Sequence, residues 1–202
     1  MSSFEGVNIE NITACGTNDF GSGMKTRLYF APAEWFNKIN IGDSPNVGPK
    51  NNFQNALLIS KDDIEFKAAF TWFYIDVLID ESEVKTSFSG SSKRRKLRSS
   101  LDVFILGYRS KILGFLQVMK NEDLVFCIST GDNISVLVGN LRNFATFDKA
   151  EGSTGKKYEE NSGFAVSISA NSPTYFFKEN LIIETPGSGS GNGGFIDLTQ
   201  DY

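Results

Sequence analysis

The sequence predicts a mainly β protein, a β-sandwich or half-barrel with one flanking α-helix, a long inter-strand loop and a flexible C-terminal tail. Three observations point there. Short segments rich in aromatic and β-branched residues alternate apolar and polar at period 2, with Gly, Asn, Asp and Pro clusters between them. One segment alone carries apolar residues at helical spacing. The chain is 202 residues long, 40 % hydrophobic and 13 % aromatic with 18 Phe, enough to fill a core in one domain over residues 1–185.

In chain order, "MKTRLYF" (24–30) alternates as a half-buried strand does, and Pro32 in "APAEWF" opens a short helical turn. Residues 37–54 are crowded with Asn, Gly and Pro and read as a loop. "FKAAFTWFYIDVLIDE" places Phe73, Ile75, Val77 and Ile79 on one strand face, and "VKTSF" (84–88) is positioned to pair with it antiparallel through the short "DESE" connection. "LDVFILGY" puts Leu101, Val103 and Ile105 on one side. The period then changes: Tyr108, Ile112, Phe115, Leu116 and Met119 form the stripe of an amphipathic helix, which is expected to pack on the sheet. "LVFCIS" and "ISVLVGN" read as a hairpin about "TGDN". "FATF" (144–147) starts a further strand, 148–163 reads as a loop, and "FAVSISA" turns Phe164, Val166 and Ile168 inward and Ala165, Ser167 and Ser169 outward. "NLIIE" (180–184) is a last strand. Residues 186–202 are a Gly-Ser linker ending in a short apolar segment, "FIDL", which reads as a free terminus or as a docking arm.

Histidine is absent, which removes the commonest general base, the Ser-His and Cys-His pairs and most zinc sites. The two cysteines, Cys15 and Cys127, are too few for a disulfide framework, and Cys127 sits where a small buried apolar residue is expected. No apolar run approaches the roughly 20 residues that cross a bilayer as a helix, and the N-terminus lacks the basic start and apolar stretch of a secretion signal, so synthesis in the cytoplasm is expected. "AEGSTGKK" departs from a phosphate-cradling loop: Ala150 occupies the first Gly position and Lys157 the place of the magnesium-binding hydroxyl, and a strand pattern follows. The acids of "KDDIE" (Asp62, Asp63, Glu65) and "YEEN" (Glu159, Glu160) read as solvated charge. "NIT" and "NIS" match the glycosylation sequon without a secretory context. No enzyme activity, cofactor or metal is expected.

"SGSSKRRKLRSS" (89–100) concentrates the positive charge in Lys93, Arg94, Arg95, Lys96 and Arg98. The chain carries a formal −4, so the remainder carries −9. That remainder is a poor surface for phosphate, and Leu97 is the only non-polar residue in the run, without aromatics to stack on bases. The favoured reading is a loop that seeks acidic surface on another copy of the same chain, followed by a merely solvated loop.

The order of these segments resembles the tail tube proteins of tailed bacteriophages, especially the divergent kind of phages of Bacteroidetes-like hosts. "ACGTNDFGSGMKTRLYFAPAEWF" is similar to that family's Gly-rich lead into a "GGIKxIYxAP"-like strand. "EDLVFCISTGDNISVLVGN" is similar to its helix-then-hairpin centre, and "GSTGKKYEENSGFAVSISANSPTYFF" to its "SGTxxxxxNGYTLTFxxxxxxPAYF" stretch. The likeness spans roughly residues 12–184 and leaves out the basic loop and the Gly-Ser tail. It implies a structural virion protein made in the host bacterial cytoplasm, six copies to a ring, with rings stacked into a tube and joined to other tail proteins. Double-stranded DNA would pass an acidic lumen without specific binding. On that reading Ser167 and Ser169 face the channel and Lys93, Arg94, Arg95, Lys96 and Arg98 contact another subunit. The alternatives are another virion part, such as a tail terminator or head decoration protein, a monomeric β-barrel for a small apolar ligand, and a nucleic-acid binder acting through the basic loop.

Overall fold

The structure, a computed structural model, describes residues 24–68, 70–131, 134–156 and 161–179. Its strands are β1 (Met24–Pro32), β2 (Phe36–Ile39), β3 (Leu58–Ile59), β4 (Ile64–Phe66), β5 (Phe73–Asp76), β6 (Glu83–Ser89), β7 (Lys96–Leu106), β8 (Leu124–Thr130), β9 (Ser135–Val138), β10 (Ala145–Ser153), β11 (Gly163–Ala170) and β12 (Tyr175–Phe177). The α-helix among the described residues, α1, is Ser110–Met119. The fold is mainly β with one helix, as the periodicities require.

The strands form two layers. In the first, hydrogen bonding runs β5-β1-β8-β9-β12-β3, antiparallel except for the parallel β12–β3 pair. In the second, it runs β10-β11-β7-β6, antiparallel throughout. The layers meet at a corner where Ala145 of β10 pairs with Leu124 of β8. Gly139 makes that corner possible: its φ is +88°, and a Cβ there would stand 2.9 Å from the Ala145 nitrogen and 3.1 Å from the Leu124 oxygen.

Period-2 alternation decides what lies between the layers. Leu28, Phe30, Ile75, Phe126, Ile128, Val136 and Val138 point from the first layer toward Leu101, Val103, Ile105, Phe164, Val166 and Ile168 of the second. Helix α1 adds Ile112, Phe115 and Leu116, and Phe115 bridges the layers with ring contacts to Phe30 (5.0 Å) and Phe147 (6.1 Å). The opposite face of the first layer is also covered. Val125, Cys127, Leu137, Tyr175 and Phe177 pack there with Phe36, Ile39 and Trp72 of the 33–72 segment, where β2 and β4 form a small sheet. A strand buried on both faces reads as a continuous apolar run, which is why "LVFCI" and "SVLV" do not alternate. Burial pushes the Cys127 thiol pKa up, consistent with a packing role.

Several expectations are corrected. Segment 84–88 pairs with β7, not with β5; β5 pairs with β1. A 3-10 turn at Ile79–Glu81 intervenes, and the Leu78 amide donates to the Phe104 carbonyl of the second layer, so the chain changes layers instead of turning back on itself. Residues 148–153, expected in a loop, continue β10. The 37–54 loop begins only after β2, and the basic loop is shorter than 89–100, since β7 starts at Lys96. The Pro32 turn is present as a 3-10 turn, Ala33–Trp35. Strand 180–184, the tail 186–202 and the segment before Met24 lie outside the described residues, as do Lys157, Glu159, Glu160 and part of the "TGDN" turn.

Candidate assembly surface

The outward face of the second layer follows from the same alternation. Register places Glu83, Lys85, Ser87 and Ser89 of β6 beside Asp102, Ser100, Arg98 and Lys96 of β7. Ser100, Asp102 and Phe104 pair with Ser169, Ser167 and Ala165 of β11, whose partners in turn are Thr146, Lys149 and Glu151 of β10. Ser167 and Ser169 therefore share one face of the sheet with Lys96 and Arg98, where Ser167 is half-buried and Ser169, expected to face outward into solvent, is buried with its hydroxyl bonded by Arg98.

Side chains on this face pair with one another. Ser167 Oγ donates to Asp102 Oδ1 at 2.7 Å, and Lys85 Nζ lies 3.3 Å from Asp102 Oδ2 and 2.5 Å from Glu83 Oε1. The Ser167 hydroxyl foremost, then Lys85, holds the Asp102 carboxyl below the usual range. Arg98 Nη2 donates to Ser169 Oγ at 2.7 Å and to Asp148 Oδ2 at 3.1 Å, and Lys149 bridges to Glu151 at 2.9 Å. The face thus balances Glu83, Asp102, Asp148 and Glu151 against Lys85, Lys96, Arg98 and Lys149. It is neutral where the sequence suggested an acidic surface, and it mixes the small Ser167 and Ser169 with long charged side chains.

Within the described residues both rims of this layer are open. Among the described residues, β6 pairs only with β7, and β10 beyond Ala145 pairs only with β11. Unpaired backbone N–H and C=O rows on strands of this length are templates for another strand.

The β6–β7 hairpin overhangs the core. Its root is held where Thr86 Oγ1 meets Thr174 Oγ1 (3.0 Å) and Ser99 Oγ donates to the Ser172 carbonyl (2.8 Å). Beyond that row Phe88 and Leu97 pair on the core-facing side, but no core lies beneath them, and Phe88 is 70 % exposed. The tip is a tight turn in which the Arg94 amide donates to the Ser91 carbonyl. Gly90 (φ +107°) is required there, since a Cβ would come within 2.7 Å of the Arg94 oxygen. Lys93, Arg94 and Arg95 at the tip are exposed, whereas Lys96 and Arg98 belong to the strand. The five cations of the run are thereby divided, three at a projecting tip and two on the sheet face.

Two grooves complete the surface. One, of 420 Å³, lies beside the start of β10 and combines the acids Glu34, Glu122 and Asp123 with Phe36, Leu141 and Phe144. The other, of 410 Å³, is apolar and opens between α1 and the end of β1. Neither is legible from local sequence, because each gathers residues distant in the chain. Phe88 could have been singled out, as the last inward position of an alternating strand that outruns its partners. No helix among the described residues is long and apolar enough to cross a membrane. No protein-family model, curated protein or solved structure matches this chain.

Proposed function

We propose that this chain is a self-assembling structural subunit, and that the assembly is a tube of the kind its sequence resemblance implies: a phage tail tube of stacked six-membered rings. The observation that carries the reading is the pair of open rims on one four-stranded layer. In a fully antiparallel sheet of four strands the two outermost strands run in opposite directions. The β6 rim of one copy therefore meets the β10 rim of the next as another antiparallel neighbour, and the alternation continues without interruption. Such a head-to-tail contact closes into a ring when its rotation permits. Six copies would join about 24 strands, more than the roughly 16–18 at which barrels already enclose an aqueous channel.

On this reading the ion-paired face around Ser167 and Ser169 lines the bore. Lys85, Arg98 and Lys149 are engaged by carboxylates and the net charge of the face is zero, so it offers little for the counterion release that holds a protein on a duplex. The hairpin tip has a counterpart as well. β6 rises toward the end of the layer at which β10 begins, so the tip of one copy and the acidic groove of the next lie at the same end of the shared seam. Lys93, Arg94 and Arg95 match Glu34, Glu122 and Asp123 in charge, and Phe88 matches the groove's apolar floor.

Size-exclusion chromatography with light scattering, followed by negative-stain microscopy, tests the proposal. Rings or tubes that form as concentration rises are expected. A chain that remains monomeric up to millimolar concentration overturns the reading and leaves the monomeric alternatives.

A further inference from the structure

We propose that the apolar groove beneath α1 is the docking site for this chain's own C-terminal segment Phe195-Ile196-Asp197-Leu198. The inference is independent of whether copies assemble. The groove is walled by Phe30, Trp35 and Phe73 on the sheet side and by Phe115, Val118 and Met119 of α1 on the other. Val118 is 66 % exposed although it borders this apolar wall, and Trp35 stacks on the exposed Phe70 at 4.8 Å. Gly114 opens the helix side, since no heavy atom lies within 4 Å of the position its Cβ would take. An exposed apolar concavity of this size in a small protein marks a binding surface.

Composition, reach and charge select the occupant. The described chain leaves the core at Glu179, whose carboxylate accepts from Ser60 Oγ (2.9 Å) and the Lys61 amide (3.2 Å). From Lys61 the backbone runs six residues to Lys67, whose amide donates to the Trp35 carbonyl. At an extended rise of about 3.5 Å per residue, plus one side chain and one strand spacing, Glu179 stands at most about 30 Å from the groove wall. The tether between Glu179 and Phe195 is the fifteen residues 180–194, of which the last eight are "GSGSGNGG". With residues 180–184 extended as the sequence predicts, about 17 Å, and the eleven steps from there to Phe195 as a Gly-rich coil of about 17–20 Å, the tether matches the gap. That match gives a tethered ligand an effective concentration in the millimolar range. The segment supplies three apolar side chains and a carboxylate at Asp197, while Lys111 gives the groove its one positively charged lining residue.

The test uses the full chain with Phe195→p-benzoylphenylalanine, irradiated and mapped by mass spectrometry. The expected product is an intramolecular cross-link onto the 111–119 helix, at Val118 or Met119, that migrates as a monomer on a denaturing gel at every protein concentration. Gly114→Leu, which fills the groove and improves the helix's intrinsic propensity, should reduce that product at least tenfold. A dimer-sized product overturns docking within one chain and assigns the groove to a second copy. Cross-links scattered elsewhere, no cross-link, or one insensitive to Gly114→Leu overturn the proposal.

Discussion

Asp63 shows how one carboxylate fixes the segment that covers the second core. It caps the 3-10 turn Lys61–Asp63 by accepting from the Ser60 amide (3.0 Å), and it also accepts from Ser44 Oγ (2.6 Å) and Asn46 Nδ2 (3.2 Å). Burial, the largest influence, pushes its pKa up, but the hydrogen bonds together outweigh burial and leave it below the ordinary value. The unfolded chain then binds the proton more readily than the folded one. The stabilisation is complete above the unfolded Asp value of about 3.9 and is lost as pH falls through the lower folded value. Asp63→Asn should therefore cost about 2–3 kcal/mol at pH 7, since an amide nitrogen would face the Ser60 N–H. Urea unfolding at pH 7 and pH 2.5 checks this: the deficit should shrink at the lower pH, and an equal deficit at both would show that the charge contributes nothing. From the sequence alone Asp63 reads as a solvated acid, because nothing local to "KDDIE" reveals that Ser44 and Asn46 fold over it.

At the scale of elements, legibility followed the number of buried faces. β11 has one face on the core and one in solvent, so Phe164, Val166 and Ile168 declared it directly, and α1 was equally plain from Ile112, Phe115 and Leu116. β2 was hidden by a register shift between Phe36 and Lys38 that breaks its alternation. The later half of β10 was hidden because its inward positions are Ala150 and Gly152, too small to mark an apolar face; a Cβ at Gly152 would stand 2.4 Å from the Phe164 ring. The β6–β7 hairpin is the element with most at stake for assembly. Replacing residues 90–95 by Asn-Gly leaves Ser89 and Lys96 paired across a two-residue turn and leaves Val84 and Leu101 in the core. This variant should fold within about 1 kcal/mol of the parent yet fail to form rings under light scattering. The parent's own assembly should weaken with added salt, because exposed tip charges are screened over about 8 Å at physiological ionic strength. Unchanged assembly by the shortened hairpin would remove the tip from the interface.

For the whole molecule, the sequence announced a two-layer β protein but not which layer is sealed and which is left open. That distinction depends on partners: among the described residues the first layer is covered on both faces, while the second keeps two bare rims and an uncovered Phe88. If the rims are joined by other copies, assembly binds the folded state alone and stabilises it by mass action. Each tenfold rise in concentration then adds up to about 1.4 kcal/mol, equivalent to roughly 3–6 °C in Tm for a domain of this size. Thermal unfolding followed at 1, 10 and 100 µM should show that climb in the parent, while the shortened-hairpin variant should melt at one temperature throughout. A parent Tm that stays flat across the series would mean that the folded chain gains nothing from its neighbours, and the open rims would then be edges that the protein tolerates instead of surfaces it uses.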